Sequence, residues 1–556
     1  MLHVEGPLLT IDVGTREEST EQIDHVLGEF IGGRGVATSL AHDRIPFDAD
    51  PFGPENRLYV TAGPLQMSQM SFTGRMNMTG LSPLTDGLLS SNAGGFLSRN
   101  FLATGHSALE LVGESDELIF VHVTDNGVEF EEVPTLAGAS VKEVTEYATQ
   151  RHGLDAEQLI AIGPAGENRV RFAAAMTSDS RAFARGGLGA VLGSKNIKAI
   201  SFRGDSSPDE RIDEEVEMTI HRRAATSDQD IRSQGTAGAT ELLNDQFSLP
   251  TRYYSDMSFE HATEIGGEMA AKKKYKKGTC SVCAFACKMP TRDEETGLET
   301  EGPEFETIYS FGSSCGVKNF VDIMQSNELC DTLGMDTISC GLTVAAYLDS
   351  EDEFGNAELV HNLVEKIAYR EGIGDLLAEG IDRIHGELGV ENWTVKGMEF
   401  AGHDGRIVNG QALSYAVANR GADHLYAGLM GREYFGDLDP EGLDGKAEAL
   451  VEEENQSGFR DSGIVCSFSS RHIETEDIEA LFDAEYDELM EVGARIVELE
   501  RHFNNERGKD VEDDTLPYAD MFDNLDEAIR EYYALRGWKE DGTTPALEGD
   551  SSITAD

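Results

Sequence analysis

The sequence predicts an α+β protein, β-rich in its N-terminal part and mainly helical beyond it. Three observations carry this expectation. Over residues 1–203, short apolar stretches such as Leu58-Tyr59-Val60 and Leu118-Ile119-Phe120-Val121 are separated by Gly, Pro, Asn and Asp, which is the pattern of strands between turns. The polar stretch Arg203-Gly-Asp-Ser-Ser-Pro-Asp-Glu then reads as a boundary. Beyond it apolar residues recur at helical spacing, as in Leu359, Val360, Leu363, Val364 and Ile367, and again in Ile496, Leu499 and Phe503.

The first region is rich in glycine: Gly32, Gly33, Gly35, Gly94, Gly95, Gly186, Gly187, Gly189 and Gly193. Glycine lets backbone approach a ligand closely, although plain loop chemistry would use it as readily. The segment Gly189-Ala-Val-Leu-Gly193-Ser-Lys195 lacks the G-x4-G-K spacing of a phosphate loop, which excludes nucleotide binding there. No internal repeat is visible. The last residues, Glu548 to Asp556, are polar and expected to fray.

A chain of 556 residues can bury a sizeable core even at 39% hydrophobic content. Its charge balance is extreme, 103 acidic residues against 45 basic ones, for a formal net charge of −58. Clusters such as Glu452-Glu453-Glu454 and Asp513-Asp514 lie between apolar periodic stretches, so they decorate a fold and do not form a tail. Carboxylates spread in this way repel one another at low ionic strength, whereas the Debye length shrinks to about 3 Å at 1 M salt. The surface therefore reads as adapted to the salty cytoplasm of a halophile. It opposes nucleic acid and anionic membranes as partners. Met1-Leu-His-Val-Glu-Gly has no basic and apolar signal regions, and no run of about 18 apolar residues could span a membrane. A cytoplasmic location is the expectation.

The seven cysteines are Cys280, Cys283, Cys287, Cys315, Cys330, Cys340 and Cys466. An odd number in such a chain argues for reduced thiols or metal ligands over a disulfide framework. Cys280-Ser-Val-Cys283-Ala-Phe-Ala-Cys287 is C-x2-C-x3-C. Three thiolates this close can hold three corners of an iron–sulfur cube. Zinc, or three unrelated core thiols, are the alternatives on spacing alone. Cys315, Cys330 and Cys340 have no such spacing and read as small apolar core residues. Just upstream, Lys272-Lys273-Lys274-Tyr275-Lys276-Lys277 stands out in so acidic a chain. It reads either as a solvated helix end or as a docking patch for an acidic electron carrier.

Several separated motifs together resemble the tungsten-containing aldehyde ferredoxin oxidoreductases. They are Ile31-Gly-Gly-Arg34-Gly35, Ser71-Phe-Thr-Gly-Arg75, Ser90-Ser-Asn92-Ala-Gly94-Gly95-Phe, Ile162-Gly-Pro-Ala-Gly166-Glu-Asn and Arg185-Gly-Gly-Leu-Gly-Ala-Val-Leu-Gly193-Ser-Lys195-Asn-Ile-Lys-Ala-Ile. Glu301-Gly-Pro-Glu-Phe-Glu306-Thr-Ile-Tyr309, Leu499-Glu-Arg-His-Phe-Asn504 and Tyr532-Tyr-Ala-Leu-Arg-Gly-Trp538 extend the resemblance through nearly the whole chain.

The resemblance implies a β-rich saddle domain under the cofactor, residues 1–203, with two mainly helical domains, 204–400 and 401–556, covering it. It implies a tungsten bis-pterin, with magnesium bridging the pterin phosphates, and a [4Fe–4S] cluster; the same pterin can carry molybdenum. The fourth cluster cysteine lies in a D-x-x-G-L-C motif, here Asp461-Ser-Gly463-Ile464-Val465-Cys466, with the glycine one place early. The sister motif, Asp331-Thr-Leu-Gly334-Met335-Asp336-Thr337, fits D-x-x-G-L-D with Met for Leu. These two loops grip the pterins in the family. Carboxylates suit the task because they accept hydrogen bonds from a pterin's amino and ring N–H groups. Arg75 and Arg185 align with motifs that contact the cofactor, and arginine's fork suits phosphate. Asn92 and Gly94 align with a segment contacting the pterin or its magnesium.

Glu306 aligns with a glutamate beside the metal, placed as general base toward water or the aldehyde hydrate. His424, in Asn419-Arg-Gly-Ala-Asp-His424-Leu, aligns with a histidine that can hydrogen-bond the substrate oxygen, and Thr337 is a weaker candidate from the same shell. The other histidines, His403 among them, read as structural. The implied reaction is oxidation of a small aldehyde to its acid, with ferredoxin taking the electrons. Homodimerisation is common in the family. The competing readings are a related tungsto-enzyme acting on another carbonyl or in the reductive direction, and a cofactor-poor iron–sulfur electron-transfer protein.

Overall fold

The computed structural model describes residues 1–208 and 212–545. The expected fraying of Glu548–Asp556 lies outside them, as do the last two residues of the Arg203–Glu210 boundary stretch.

The N-terminal part is sheet-rich, as its sequence predicts, and it is built twice. Strands β1 (Leu8–Asp12), β2 (Glu17–Glu21), β3 (Leu58–Thr61), β4 (Arg75–Leu81), β5 (Leu88–Gly94) and β6 (Ala108–Val112) form one sheet, in the order β2-β1-β6-β3-β4-β5. Strands β7 (Ile119–Thr124), β8 (Gly127–Glu132), β9 (Leu159–Ala161), β10 (Ala175–Thr177), β11 (Arg181–Phe183) and β12 (Ile197–Arg203) form a second, in the order β8-β7-β12-β9-β10-β11. The second order is the first with every number raised by six. The strand senses match as well: β1–β6 and β7–β12 are parallel, and every other neighbouring pair is antiparallel. The sequence shows no internal repeat because this duplication is one of topology. A strand asks only for the right period of apolar residues.

Burial follows position. Central β3 is buried at every residue, as a strand covered on both faces requires. Edge strand β2, Glu-Glu-Ser-Thr-Glu, is exposed throughout, and its charges discourage pairing with another chain. The two sheets meet along β5 and β11.

Helices follow the second sheet, and they divide between two cores. Residues from Ala237 to Leu450, with Leu516 to Trp538, build one around Phe305, Tyr309, Leu342, Phe400 and Tyr415. Phe459, Leu489, Val492, Ile496 and Phe503, from the helices Lys446–Gly463 and Tyr486–Glu506, pack instead with Leu9, Val60 and Met78 of the first sheet. The helix Gly33–Arg44 lies between them and the sheet. There the Arg34 guanidinium meets the Glu500 carboxylate through two hydrogen bonds, 2.8 and 2.7 Å, with both side chains buried. Removing one partner of such a pair leaves an uncompensated buried charge, at a cost of about 3–5 kcal/mol.

Candidate functional site

The chemistry-bearing residues sit at helix ends and in the loops beside them. Cys280, Cys283 and Cys287 stand on an irregular segment between the helix Gly267–Lys273 and the strand Pro290–Arg292. Cys466 follows the helix Lys446–Gly463, its N–H donating to the Phe72 carbonyl at 2.9 Å. These four are half-buried, whereas Cys315, Cys330 and Cys340 are buried. The four thiols converge. Burial, with the neighbouring Cys466 and Cys280, pushes the Cys287 thiol up to about 12, against the pull of Lys288. Burial pushes Cys283 up too, and again Cys466 and Cys280 add to it. Phe72, Ser281 and Ala286 hold left-handed φ values of 76°, 45° and 50° around this group. Each costs about 1–2 kcal/mol, so the backbone is bent to aim the thiols. A side chain at Gly94 would place its Cβ 3.0 Å from Cys280 Sγ.

The two aspartate motifs fold alike. Asp331 lies in the last turn of the helix Phe320–Leu333, which ends on Gly334 at φ 79°, ψ 57°. Asp461 lies in the last turn of the helix Lys446–Gly463, which ends on Ile464 at φ 55°, ψ 48°. In both, the third residue after the aspartate turns left-handed. The displaced glycine therefore does not displace the turn. Ile464 adopts it in glycine's place, and Gly463 stays helical where a Cβ would lie 2.7 Å from the Phe482 ring. Beneath each loop runs the Gly-Pro turn that follows the matching strand of each sheet. A Cβ on Gly63, beyond β3, would lie 2.8 Å from the Gly463 carbonyl oxygen. One on Gly163, beyond β9, would lie 2.2 Å from that of Leu333.

Both carboxyls are short of donors. Asp331 accepts from Asn327 Nδ2 at 3.1 Å, and burial, with Glu328 nearby, holds it well above the ordinary range. Asp461 accepts from Asn92 Nδ2 at 2.6 Å and lies 3.5 Å from Arg34 Nη1. Burial raises it against the pull of Arg34, Arg75 and Arg420. Asn92 is itself held by Asn77 Nδ2 at 2.9 Å, and Arg75, opening β4, is paired across the sheet with Gly94. Arg185 donates Nη2 to the Glu399 carbonyl at 2.6 Å and lies 3.2 Å from Asp336 through Nε. Its buried Nη1 meets no hydrogen-bond partner among the described residues. Asp336 caps the helix Thr337–Glu351, accepting from the N–H groups of Ile338 and Ser339.

Glu306 belongs to a short helical turn, Phe305–Thr307, that widens into a π-helical turn over Ile308–Ser313, a feature often found at functional sites. Its Oε2 accepts from the Gly402 N–H at 2.9 Å. Its Oε1 lies 3.6 Å from Nε2 of both His403 and His424. Burial raises the Glu306 carboxyl above its ordinary value, against the pull of His424 and the Gly402 N–H. Burial drives the His403 imidazole well below its own, and His424 adds to this, so the charged form of His403 is disfavoured. Glu306 Oε1 and the Nδ1 atoms of both histidines are buried with no hydrogen-bond partner among the described residues. Thr337 Oγ1 accepts from Thr307 Oγ1 at 2.9 Å, one residue past Glu306.

The His424 loop is fastened firmly. Asp423 accepts from the N–H groups of Leu425 and Tyr426 at 2.7 Å and pairs with Arg420 at 2.5 Å. The Tyr426 ring lies between two guanidiniums, 3.4 Å from Arg34 and 4.2 Å from Arg420, a cation–π stack. His403, which reads as structural in the sequence, thus joins Glu306 and His424, and Arg34, Arg420 and Tyr426 frame the loop. No local pattern marks His403; what brings it here is the Gly402 N–H bond to Glu306.

Of the lysine run, Lys273 pairs with Asp293 at 2.6 Å and Lys274 donates to the Arg232 carbonyl at 3.0 Å. Lys272, Lys276 and Lys277 are exposed, on the segment leading directly to Cys280.

Residues 8–204 match the family model described as the aldehyde ferredoxin oxidoreductase N-terminal domain, and residues 212–547 match that for domains 2 and 3. The chain is 31% identical to the tungsten-containing aldehyde ferredoxin oxidoreductase of Pyrococcus furiosus and 32% identical to that of Thermococcus kodakarensis, with 97% of each chain covered. It is 28% identical to the aliphatic sulfonate oxidoreductase, WOR-like subunit, of Pyrococcus furiosus, covering 97% of this chain and 95% of that one. Among solved structures, the active-site complex BamBC of benzoyl coenzyme A reductase shares the fold. The TM-score is 0.82 at 22% identity, over 98% of this chain and 96% of that one.

Proposed function

The chain belongs to the aldehyde ferredoxin oxidoreductase family, and from that premise we propose that it oxidises a small aldehyde to the carboxylic acid and passes the electrons to ferredoxin. The observation that carries this reading is the buried carboxyl of Glu306, raised above its ordinary value and 3.6 Å from two histidines.

The residues fit the cofactors their motifs imply. The donor-poor carboxyls of Asp331 and Asp461, each beside a left-handed turn, suit the N–H groups of two pterins. Gly334 lets one turn form, and Asn92 orients Asp461. Arg75, and Arg185 with its partnerless Nη1 and its Nε beside Asp336, would suit pterin phosphates, and Asn92 and Gly94 would contact the pterin or its magnesium. Cys280, Cys283, Cys287 and Cys466 supply the four thiolates of a [4Fe–4S] cluster, with Lys288 and Arg181 as neighbouring cations. When bound, the tungsten bis-pterin accepts the two electrons that side chains cannot store, and the cluster passes them on singly.

The chain's own residues handle protons and position. An aldehyde hydrate that becomes an acid gives up two electrons and two protons. Glu306 takes one proton from the attacking water or the hydrate O–H, a task suited to a carboxylate whose pKa has risen toward the working range. His424 donates a hydrogen bond to the substrate oxygen. Burial disfavours the charged form of His403, so the Glu306 carboxyl gains no counter-charge from that side and keeps its raised pKa. Thr337 holds the turn that carries Glu306. Lys272, Lys276 and Lys277 attract the acidic carrier toward the cluster.

A second reading is a related reaction on another carbonyl or in the reductive direction; the relatives do not all carry an aldehyde in their names, one being an aliphatic sulfonate oxidoreductase, which favours weighing a different substrate. Anaerobic purification in high salt, with metals measured by mass spectrometry and an aldehyde screen against ferredoxin or viologen, tests both. About one tungsten and four irons per chain, with aldehyde-dependent reduction of the acceptor, is the expected result. Full metal content without aldehyde turnover favours the second reading. Iron alone makes the protein an electron carrier, and zinc without iron overturns the cluster.

A further inference from the structure

The second sheet carries a side-chain cluster for which the chemistry above has no use. His122 lies on β7 and Glu131 on the neighbouring edge strand β8; His152 is the last residue of the helix Val141–His152 that crosses beside them. The strand register sets Glu131 opposite Phe120, so Glu131 and His122 are diagonal neighbours on one face. Glu131 Oε2 lies 2.8 Å from His152 Nε2 and 3.4 Å from His122 Nε2. All three ligand atoms fall within 4.8 Å of one another.

From this geometry we infer that His122, Glu131 and His152 form a binding site for a divalent transition-metal ion such as zinc. A tetrahedral zinc with bonds of about 2.0–2.2 Å to imidazole and carboxylate has ligand–ligand edges of about 3.3 Å. The two separations from Glu131, 2.8 and 3.4 Å, bracket that value and the third is under 4.8 Å, so side-chain shifts of up to about 1.5 Å accommodate an ion. Two imidazoles and one carboxylate also match zinc's preference among the common divalent ions; magnesium and calcium favour sites made of oxygen.

A second, independent observation points the same way. Two of the three atoms that would not face the ion are already held. His122 Nδ1 lies 2.8 Å from Ser201 Oγ. With its N–H donated there, Nε2 presents its lone pair to the cluster. Glu131 Oε1 accepts from the Tyr147 hydroxyl at 2.7 Å, which leaves Oε2 for the ion. Outer partners of this kind fix ligand orientation in metal sites. The Phe120 ring stacks on His122 at 4.3 Å and fixes its plane. The three side chains are 13%, 24% and 28% exposed, enough for an ion and a fourth, water ligand to enter from solvent. Bound there, the ion ties β7, β8 and the helix Val141–His152 together, pinning the second sheet's edge.

The experiment titrates zinc into chelator-washed holoenzyme, following heat and melting temperature, with cobalt(II) as a spectroscopic substitute. One zinc per chain is expected beyond the holoenzyme's own metals, with a higher melting temperature and the visible bands of four-coordinate cobalt. His152→Gln keeps a hydrogen bond to Glu131 and so preserves the fold, yet it should weaken zinc at least tenfold and abolish the cobalt bands. Glu131→Gln should do the same, and neither should alter turnover. Absence of zinc binding to the wild type overturns the inference. So does binding that survives both substitutions, which would place the ion elsewhere, as at the Glu306 cluster.

Discussion

Glu306 has a carboxyl whose base form is hard to make and is therefore reactive once made. Glu306→Gln keeps the shape and an oxygen for the Gly402 N–H but removes the proposed base. The expected loss in kcat is about 10²- to 10⁴-fold, with tungsten and iron contents unchanged by mass spectrometry. The pH dependence has a definite sign. Burial raises this carboxyl, so the active carboxylate is depleted as pH falls, and the rate should climb with pH along a limb above the ordinary glutamate value. His424 is the strongest of the groups that pull the Glu306 carboxyl down. In His424→Gln the limb should move further up in pH, as a pH–rate profile of kcat/KM would show. Glu306 and His424 are legible in the sequence because each lies inside a distinctive run. His403 is not, since its role rests on a contact across 97 residues that no local pattern encodes.

At the scale of elements, the site hangs on how two helices stop. Gly334 occupies a left-handed cap where a Cβ would lie 2.8 Å from the Gly163 N atom. Gly334→Ala should cost about 1–2 kcal/mol for the backbone conformation alone and more for the contact, and it should loosen Asp331. A lower unfolding temperature together with reduced tungsten retention would show both effects. The motif made Asp331 and Asp461 legible, and it made the shifted glycine look like a departure. The structure explains the shift: Ile464 takes the turn, and the helix end needs Gly463 as clearance for Phe482. A further element-scale prediction concerns the lysine segment. Replacing Lys272, Lys276 and Lys277 together by Gln should raise the KM for ferredoxin several-fold and leave viologen turnover unchanged. The difference should fade at about 1 M salt, where charges are screened beyond about 3 Å.

Across the whole molecule, the net charge of −58 makes self-repulsion a term in stability. The melting temperature should rise steadily as salt increases from about 0.2 M to about 2 M, over which the Debye length falls several-fold. A flat response in a scanning experiment would contradict the reading of the surface as salt-adapted. The broad division into a sheet-rich front and a helical remainder was legible because periodicity is a local property. The doubling of the sheet was not, because β1–β6 and β7–β12 share strand order and sense without a shared run of residues. The return of the helices Lys446–Gly463 and Tyr486–Glu506 to the first sheet was hidden too, since helical spacing tells which face is buried but not against what.

That return imposes an order on biosynthesis. Arg34 emerges from the ribosome early, and its partner Glu500 emerges 466 residues later. Cys466 likewise trails the three cysteines it joins. Until those late helices arrive, the first sheet lacks the helices that cover it. The core of the first sheet is therefore completed only by residues made more than 400 positions after the sheet's first strand.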